Sequence, residues 1–386
     1  MKIRCNRYLY TAALFLFVAS GFAYLVIGQI SERVLFFLFI GTALLSVRKI
    51  CMLAKKNFTV IDGVYGLFIS TFIIDGFLSA SIRPFVYGTA MFLVYLLIRS
   101  AVFTDSYEKM YDKICRISEG FSFMVLIYAF TKQRLTLSNF AGGMATSNSF
   151  GIFAAALFTF YISKLTADAV YGRKTGRTAV FVAASLFFVF ISSCRSAFAA
   201  VAMQIVMLMI ADQKKYKIQI RLFRKKLIWV MLGAVFILGM LYLIWSFGYL
   251  DSSIFMKSKI LTERGDFTNG RMYLWKETWK HVEMFSDGSA KTGFASHNVY
   301  LGLMENYGFF NGFFYFIFIV LLCLRAFRFS FSSYAGRWKY LPVMSCILFA
   351  CISMAENCLM TLPMILMYLC LPLFMEDKIE EKSISN

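Results

Sequence analysis

The sequence predicts an all-α, polytopic integral membrane protein of about 10–12 transmembrane helices with one large extracytoplasmic loop. Three observations lead there. Hydrophobic residues make up 60% of the 386, and the mean hydropathy is +0.68. Apolar runs long enough to cross a bilayer recur along nearly the whole chain. The basic residues collect in the short connections between those runs. Lipid leaves no water for an unpaired backbone group, so runs of roughly 17–25 apolar residues must be helices, and the alternating pattern of a membrane β-barrel is absent.

Taken in order, apolar runs between charges and breakers predict helices at 8–30, 33–47, 58–75, 84–103, 115–130, 149–164, 178–193, 196–212, 227–247, 308–326, 340–355 and 358–374. The first follows Lys2, Arg4 and Arg7 as a signal peptide would, but it exceeds the roughly 7–15-residue core of one and reads as an uncleaved helix. With the N-terminus inside, roughly 28 of the 40 Lys and Arg residues fall in inward connections, the bias expected of cytoplasmic loops. Both termini are then cytoplasmic, in an inner membrane. The formal charge of +19 is thus a topology signal in short clusters, with no soluble basic face for nucleic acid. Nine cysteines, an odd number without a CxxC pair, read as small buried hydrophobes rather than as a zinc site or a disulfide scaffold. The chain reads as a single membrane domain over 1–386.

The long polar stretch 248–298 is the large outward loop. A connection of that length far exceeds the roughly 2–8 residues usual between bundled helices and is more often functional than idle. Within it Met272, Trp275, Trp279 and Val282 recur at helical spacing, with Lys276, Glu277, Lys280 and Glu283 off that stripe and Asn269 as N-cap. This predicts an amphipathic helix on the outer membrane surface, with a plain solvated linker helix as the alternative.

Walker, GxGxxG, HExxH and GxSxG motifs are missing, which removes support for ATP-driven transport and for zinc or serine hydrolysis. Helix centres are nearly free of ionisable groups: Asp62 and Asp75 sit near the ends of the third helix, Glu119 opens the fifth, and Gln204 is the clearest polar group at depth. Chemistry-bearing residues lie outward instead. Arg195 occupies a very short hairpin, Ser193-Cys194-Arg195-Ser196, where it is either a snorkelling side chain or a guanidinium suited to a phosphate or pyrophosphate. Arg271 follows Asn269-Gly270 at the start of the amphipathic helix, where the helix N-terminus also favours an anion. Arg264 is a weaker third cation. His281 reads as an ordinary polar residue, whereas His297 stands where the loop re-enters the membrane and is suited to move a proton near neutral pH.

Four elements in this order resemble the O-antigen ligase and O-antigen polymerase superfamily of bacterial envelope glycosyltransferases. They are the Asn148-Ser149-Phe150-Gly151 turn opening a helix, the hairpin Ser193 to Ser196, Gly270-Arg271 followed by Trp275, and a Gly-x-x-x-His-Asn-x-Tyr-Leu segment from Gly293 to Leu301 with Gly308 beyond it. The resemblance covers roughly the second half of the chain, and it departs in the Ser-Cys-Arg order of the hairpin and in compact size. It implies a type C-like glycosyltransferase fold, an undecaprenyl-pyrophosphate-linked glycan as donor, membrane lipid around it, and no cofactor or metal. A flippase and a chain-length regulator are the implied protein partners. It also implies that Arg195 and Arg271 hold the pyrophosphate, with Arg264, Asn298 and Asn148 as further binding residues, and that His297 assists at the reacting centre. Glu305 is the next candidate for the base and Glu356, on the final outward turn, a more distant one; on an ideal helix Glu305 falls about 80° round from His297.

The reaction so implied is attack of a sugar hydroxyl on the anomeric carbon of a lipid-pyrophosphate-linked glycan. Polymerisation of repeat units into a surface, capsular or exopolysaccharide is the first expectation, and ligase-type transfer to a lipid or other acceptor the second. An exporter or flippase needs a polar central cavity, and the sparse charge at mid-depth counts against it.

Overall fold

The computed structural model describes residues 59–99, 107–136, 139–144, 146–170, 172–210, 270–289, 291–292, 296–331, 338–356 and 362–368, together with Phe15, Leu16, Ala19 and Gly41. Among the described residues it is all-helical. The helices are α1 Val60–Leu78, α2 Ile82–Arg99, α3 Tyr107–Lys132, α4 Ser147–Val170, α5 Gly176–Ser192, α6 Arg195–Ile210, α7 Arg271–Lys280, α8 Val299–Tyr307, α9 Phe309–Phe331, α10 Leu341–Ser353 and α11 Leu362–Tyr368. Three of them, over Val60–Leu78, Ser147–Ala169 and Phe309–Ser330, are long and apolar enough to cross a membrane. Apart from Phe15, Leu16, Ala19 and Gly41, the predicted helices 8–30 and 33–47 lie outside the described residues, as do 227–247, most of 358–374, and loop residues 248–269 with Arg264 and Asn269.

Local chemistry sets several boundaries. The Thr59 side chain accepts from the Asp62 N–H while the Asp62 carboxylate accepts from the Thr59 N–H at 2.7 Å, a capping box that starts α1. A turn at Ser79–Ser81 reverses the chain into α2, and Tyr95 of α2 stacks on Tyr65 of α1 with centroids 4.0 Å apart. α3 is longer than its apolar run: it begins at Tyr107, so Glu119 lies mid-helix rather than opening it, and bonds Lys164 of α4 at 2.6 Å. The charged residues Glu108, Lys109, Asp112 and Lys113 end a hydropathy run but do not end a backbone hydrogen-bond ladder.

α4 is the central helix. Its small residues Gly151, Ala154, Ala155 and Ala156 admit close neighbours, and α5, α6 and α10 all pack against it. At its middle the buried Gln204 amide donates to Thr159 Oγ1 at 2.7 Å and to the Met344 carbonyl at 2.9 Å, tying α6 to α4 and α10. The polar group expected at depth is therefore a structural tie. By contrast α1 shows Leu67, Ile73, Ile74 and Phe77 outward, and α9 shows Phe316, Leu324 and Phe327, surfaces that suit lipid.

Bonds between helix ends define two opposite faces. At one, Arg99 at the end of α2 donates to Asp62 near the start of α1 at 2.7 Å, and Thr178 in the first turn of α5 meets Asp168 near the end of α4 at 3.3 Å. Trp338, ahead of α10, donates to Asp112 near the start of α3 at 3.3 Å. At the other, the Ser286 N–H meets Asp75 near the end of α1 at 3.4 Å, and the starts of α4 and α6 lie beside the ends of α5 and α10.

The chain does not run straight from loop into the predicted helix at 308–326. Gly308 (φ +87°, ψ 161°) separates α8 from α9, and a Cβ there would collide with the Met284 carbonyl and lie 2.6 Å from Phe285 Cα. Only glycine lets the segment 283–288 pass so close. Phe309 N–H donates to the Glu283 carbonyl at 2.7 Å and Gly288 N–H to that of Asn306 at 2.8 Å, which pins this strap across the break.

Candidate functional site

The second face gathers polar side chains from three distant parts of the sequence around one carboxylate, Glu356, just past α10. Arg271 Nη2 bonds Glu356 Oε1. Asn148 Nδ2 donates to the same oxygen at 2.8 Å, and His297 Nδ1 lies 3.3 Å from Oε2. Glu356 is only 9% exposed, while the His297 side chain is 44% exposed, so the carboxylate is enclosed and the imidazole faces outward.

Each partner is placed by its own element. Thr146 Oγ1 accepts from the Ser149 N–H at 3.1 Å, opening α4 so that Asn148 stands in its first turn. Arg271 is the first residue of α7, whose N-cap is Gly270 (φ +80°) with no side-chain cap bond; the expected Asn269 cap is replaced in that position by the glycine. The carboxamide oxygen of Asn298 accepts from Tyr300 N–H at 2.9 Å and Leu301 N–H at 3.1 Å, so it caps α8. Asn298 is thus spent on the backbone. His297 precedes the cap with φ +50°, an uncommon conformation for a residue with a side chain, and lies outside the helix, so the expected 80° relation to Glu305 does not apply.

The hairpin between α5 and α6 borders the cluster. Ser193 takes φ +57°, and its hydroxyl accepts from the Asn139 N–H at 3.2 Å. Gly151 of α4 lies directly beneath, where a Cβ would run into Cys194 Cβ and come within 2.6 Å of Ser192 Oγ. Cys194 is 2% exposed and lies within the fields of Glu356 and Arg271. Burial pushes its thiol up from the ordinary value, more than the Ser196 hydroxyl pulls it down. Arg195 follows as the exposed first residue of α6, at the rim of the cluster.

Compared with known proteins, the chain matches no family profile and no curated protein.

Asn148, Arg271 and His297 are thus brought together, Arg195 stands alongside, and Arg264 lies outside the described residues. Glu305 is bonded elsewhere: it is 2% exposed and accepts from the Thr292 N–H at 2.8 Å and from the Thr292 hydroxyl, so it holds the loop ahead of His297. Glu356, the most distant candidate in the sequence reading, is the hub. The amphipathic helix exists over Arg271–Lys280, but its stripe is not buried by the rest of the chain: Met272 and Trp279 are exposed and Thr278 is the buried residue. Trp275 donates from Nε1 to the Ser296 carbonyl at 2.9 Å, a tie between α7 and the residue beside His297 that spacing alone did not suggest.

Chemically the cluster offers a guanidinium, a carboxamide and an imidazole held by one enclosed carboxylate, with a second guanidinium nearby. No group of three or more metal-ligating His, Cys, Asp or Glu residues occurs among the described residues.

Proposed function

We propose that the chain is a multi-pass glycosyltransferase of the bacterial inner membrane that polymerises undecaprenyl-pyrophosphate-linked repeat units into a surface, capsular or exopolysaccharide. One observation carries this reading. Asn148, Arg271 and His297, which the family resemblance marks out from three separate segments, converge on Glu356 at one face, with Arg195 at its rim. The basic residues support the orientation, since Arg99, Lys164, Arg173, Lys174, Arg177, Arg325, Arg328 and Lys339 belong to the opposite face. By the positive-inside rule that face is cytoplasmic and the Glu356 cluster is extracytoplasmic. The proposal takes both termini as cytoplasmic, 10–12 spans as about the number that fits, and a type C-like fold.

The chemistry follows from charge. As the bond between the anomeric carbon and the pyrophosphate oxygen breaks, negative charge grows on the leaving group. Fixed guanidinium groups stabilise that state more than the ground state. Arg195 and Arg271 serve this role, with Arg271 held in place by Glu356 through Nη2. An acceptor sugar hydroxyl attacks the anomeric carbon from the opposite side, which inverts its configuration. Its proton passes to His297: with Nδ1 turned to Glu356, Nε2 is the nitrogen that faces outward to take it. Glu356 orients the imidazole and stabilises its charged form. Undecaprenyl pyrophosphate departs.

The test is turnover of a synthetic undecaprenyl-pyrophosphate repeat unit by purified protein. Wild type is expected to make longer lipid-linked glycans, and Arg195→Ala, Arg271→Ala and His297→Ala to lose about 100-fold or more, the scale of removing a charge-stabilising or proton-transfer group. Transfer only to an added lipid or protein acceptor moves the assignment to a ligase. Elongation unchanged in all three variants, at equal folded yield, removes the site.

A further inference from the structure

A second feature lies away from the Glu356 cluster. α3 and α5 leave a groove of about 850 Å³ between them, floored by α4 at Leu157 and Tyr161. Its walls are apolar, with Leu126, Ile127 and Phe130 on α3 and Phe181 and Phe188 on α5. From Arg116 to Thr131 the groove follows α3 for about 22 Å at roughly 1.5 Å per residue, less than the roughly 30 Å of a hydrocarbon layer.

The groove is charged at one end only. Arg116 and Arg177 line it there, both exposed, on the face that carries Arg99 and Lys164. Arg116 Nε donates to the Asp112 backbone carbonyl at 3.3 Å, and Arg177 lies over the Phe181 ring at 5.6 Å. Glu119, the carboxylate that lines the groove, is taken by Lys164 at 2.6 Å. The mouth therefore carries the charge of two arginines above a slot built of aliphatic and aromatic carbon.

We propose that this groove binds an anionic diacyl phospholipid, its phosphate between Arg116 and Arg177 and one acyl chain along α3 toward Phe130. The charge and the shape select the occupant together. Two guanidinium groups match a phosphate that carries net charge, and basic pockets between helices on the cytoplasmic side are recognised sites for such headgroups. A slot shorter than the hydrocarbon layer suits one acyl chain of one leaflet, entered from the arginine end. The Glu356 cluster lies toward the other face, so a lipid carrying its pyrophosphate there would leave both arginines unused. The inference rests on the membrane reading of α4 and not on the glycosyltransferase reading.

The test uses the full chain, purified in mild detergent with equal amounts of phosphatidylglycerol and phosphatidylcholine, and read by native mass spectrometry. At about 5-fold per arginine, wild type should retain phosphatidylglycerol about 25-fold over phosphatidylcholine. Arg116→Gln/Arg177→Gln should abolish the preference, while Arg173→Gln, on the same face outside the groove, should leave it. Ile127→Trp, which fills the slot from an exposed position, should lose the bound phosphatidylglycerol with both arginines intact. Equal retention of the two lipids by wild type overturns the proposal. So does a preference that survives the double substitution, or displacement of phosphatidylglycerol by an equimolar amount of undecaprenyl phosphate.

Discussion

The ion pair between Arg271 and Glu356 gives the most direct test of how the Glu356 cluster is built. Their side chains are 20% and 11% exposed, between a surface pair and a sealed one. Exposed pairs contribute about 0.2–1 kcal/mol, and breaking a fully buried pair costs about 3–5 kcal/mol, so a coupling of about 2 kcal/mol is expected here. Glu356→Gln keeps the side-chain shape and an oxygen for Asn148 Nδ2 but leaves the guanidinium of Arg271 without its countercharge. Arg271→Gln does the reverse. The two single variants and the double variant form a cycle, to be read by reversible unfolding in mixed micelles followed by tryptophan fluorescence. Each single variant should be destabilised by about 2 kcal/mol and the double by clearly less than the sum. A coupling below about 0.5 kcal/mol would show that the pair does not hold α7 to the end of α10, and the account of the site as one unit would fall.

Two further outcomes follow from the hairpin. Gly151→Ala places a methyl against Cys194 and Ser192 and should cost about 1–3 kcal/mol by overpacking, with Ser→Ala at position 192 recovering part of it; a neutral effect in the same unfolding assay would contradict the close approach of α4. Cys194, buried and with its thiolate disfavoured, should resist N-ethylmaleimide at pH 8 in the folded protein and react once it is unfolded, scored by peptide mass; rapid labelling of native protein would contradict its burial.

Much of this was legible in the residues, for physical reasons that also set the limits. Apolar runs located α1, α4, α5, α6 and α9 because each must bury or hide its backbone within one segment. The start of α3 was misplaced because hydropathy reports the solvent of a helix and not its hydrogen bonds. α8 was missed as a helix of its own because nine residues, Val299–Tyr307, are too few to register as a membrane-length apolar run, although the predicted start at 308 falls at the Gly308 break. For the candidate site, residue type and place in the polar loop marked Arg271 and His297, and the family resemblance marked Asn148. These readings set Glu305 ahead of Glu356, although both are lone carboxylates near the predicted surface. What distinguishes them is direction: Glu305 turns to Thr292, whereas Glu356 lies where α10 ends beside the start of α4, a meeting of helix ends that no local pattern encodes.

The bond between Asn148 and Glu356 spans 208 positions, and this has a bearing on how the protein is made. At roughly 5–20 residues per second, the ribosome delivers Glu356 about 10–40 s after Asn148. Throughout that interval Asn148, and later Arg271 and His297, have reached the growing chain without the group that organises them. Biosynthesis therefore has its own safety interlock: the four-residue constellation closes only after α10 and Glu356 have been made, so a nascent chain stalled before that helix carries Asn148, Arg271 and His297 but not the carboxylate that assembles them.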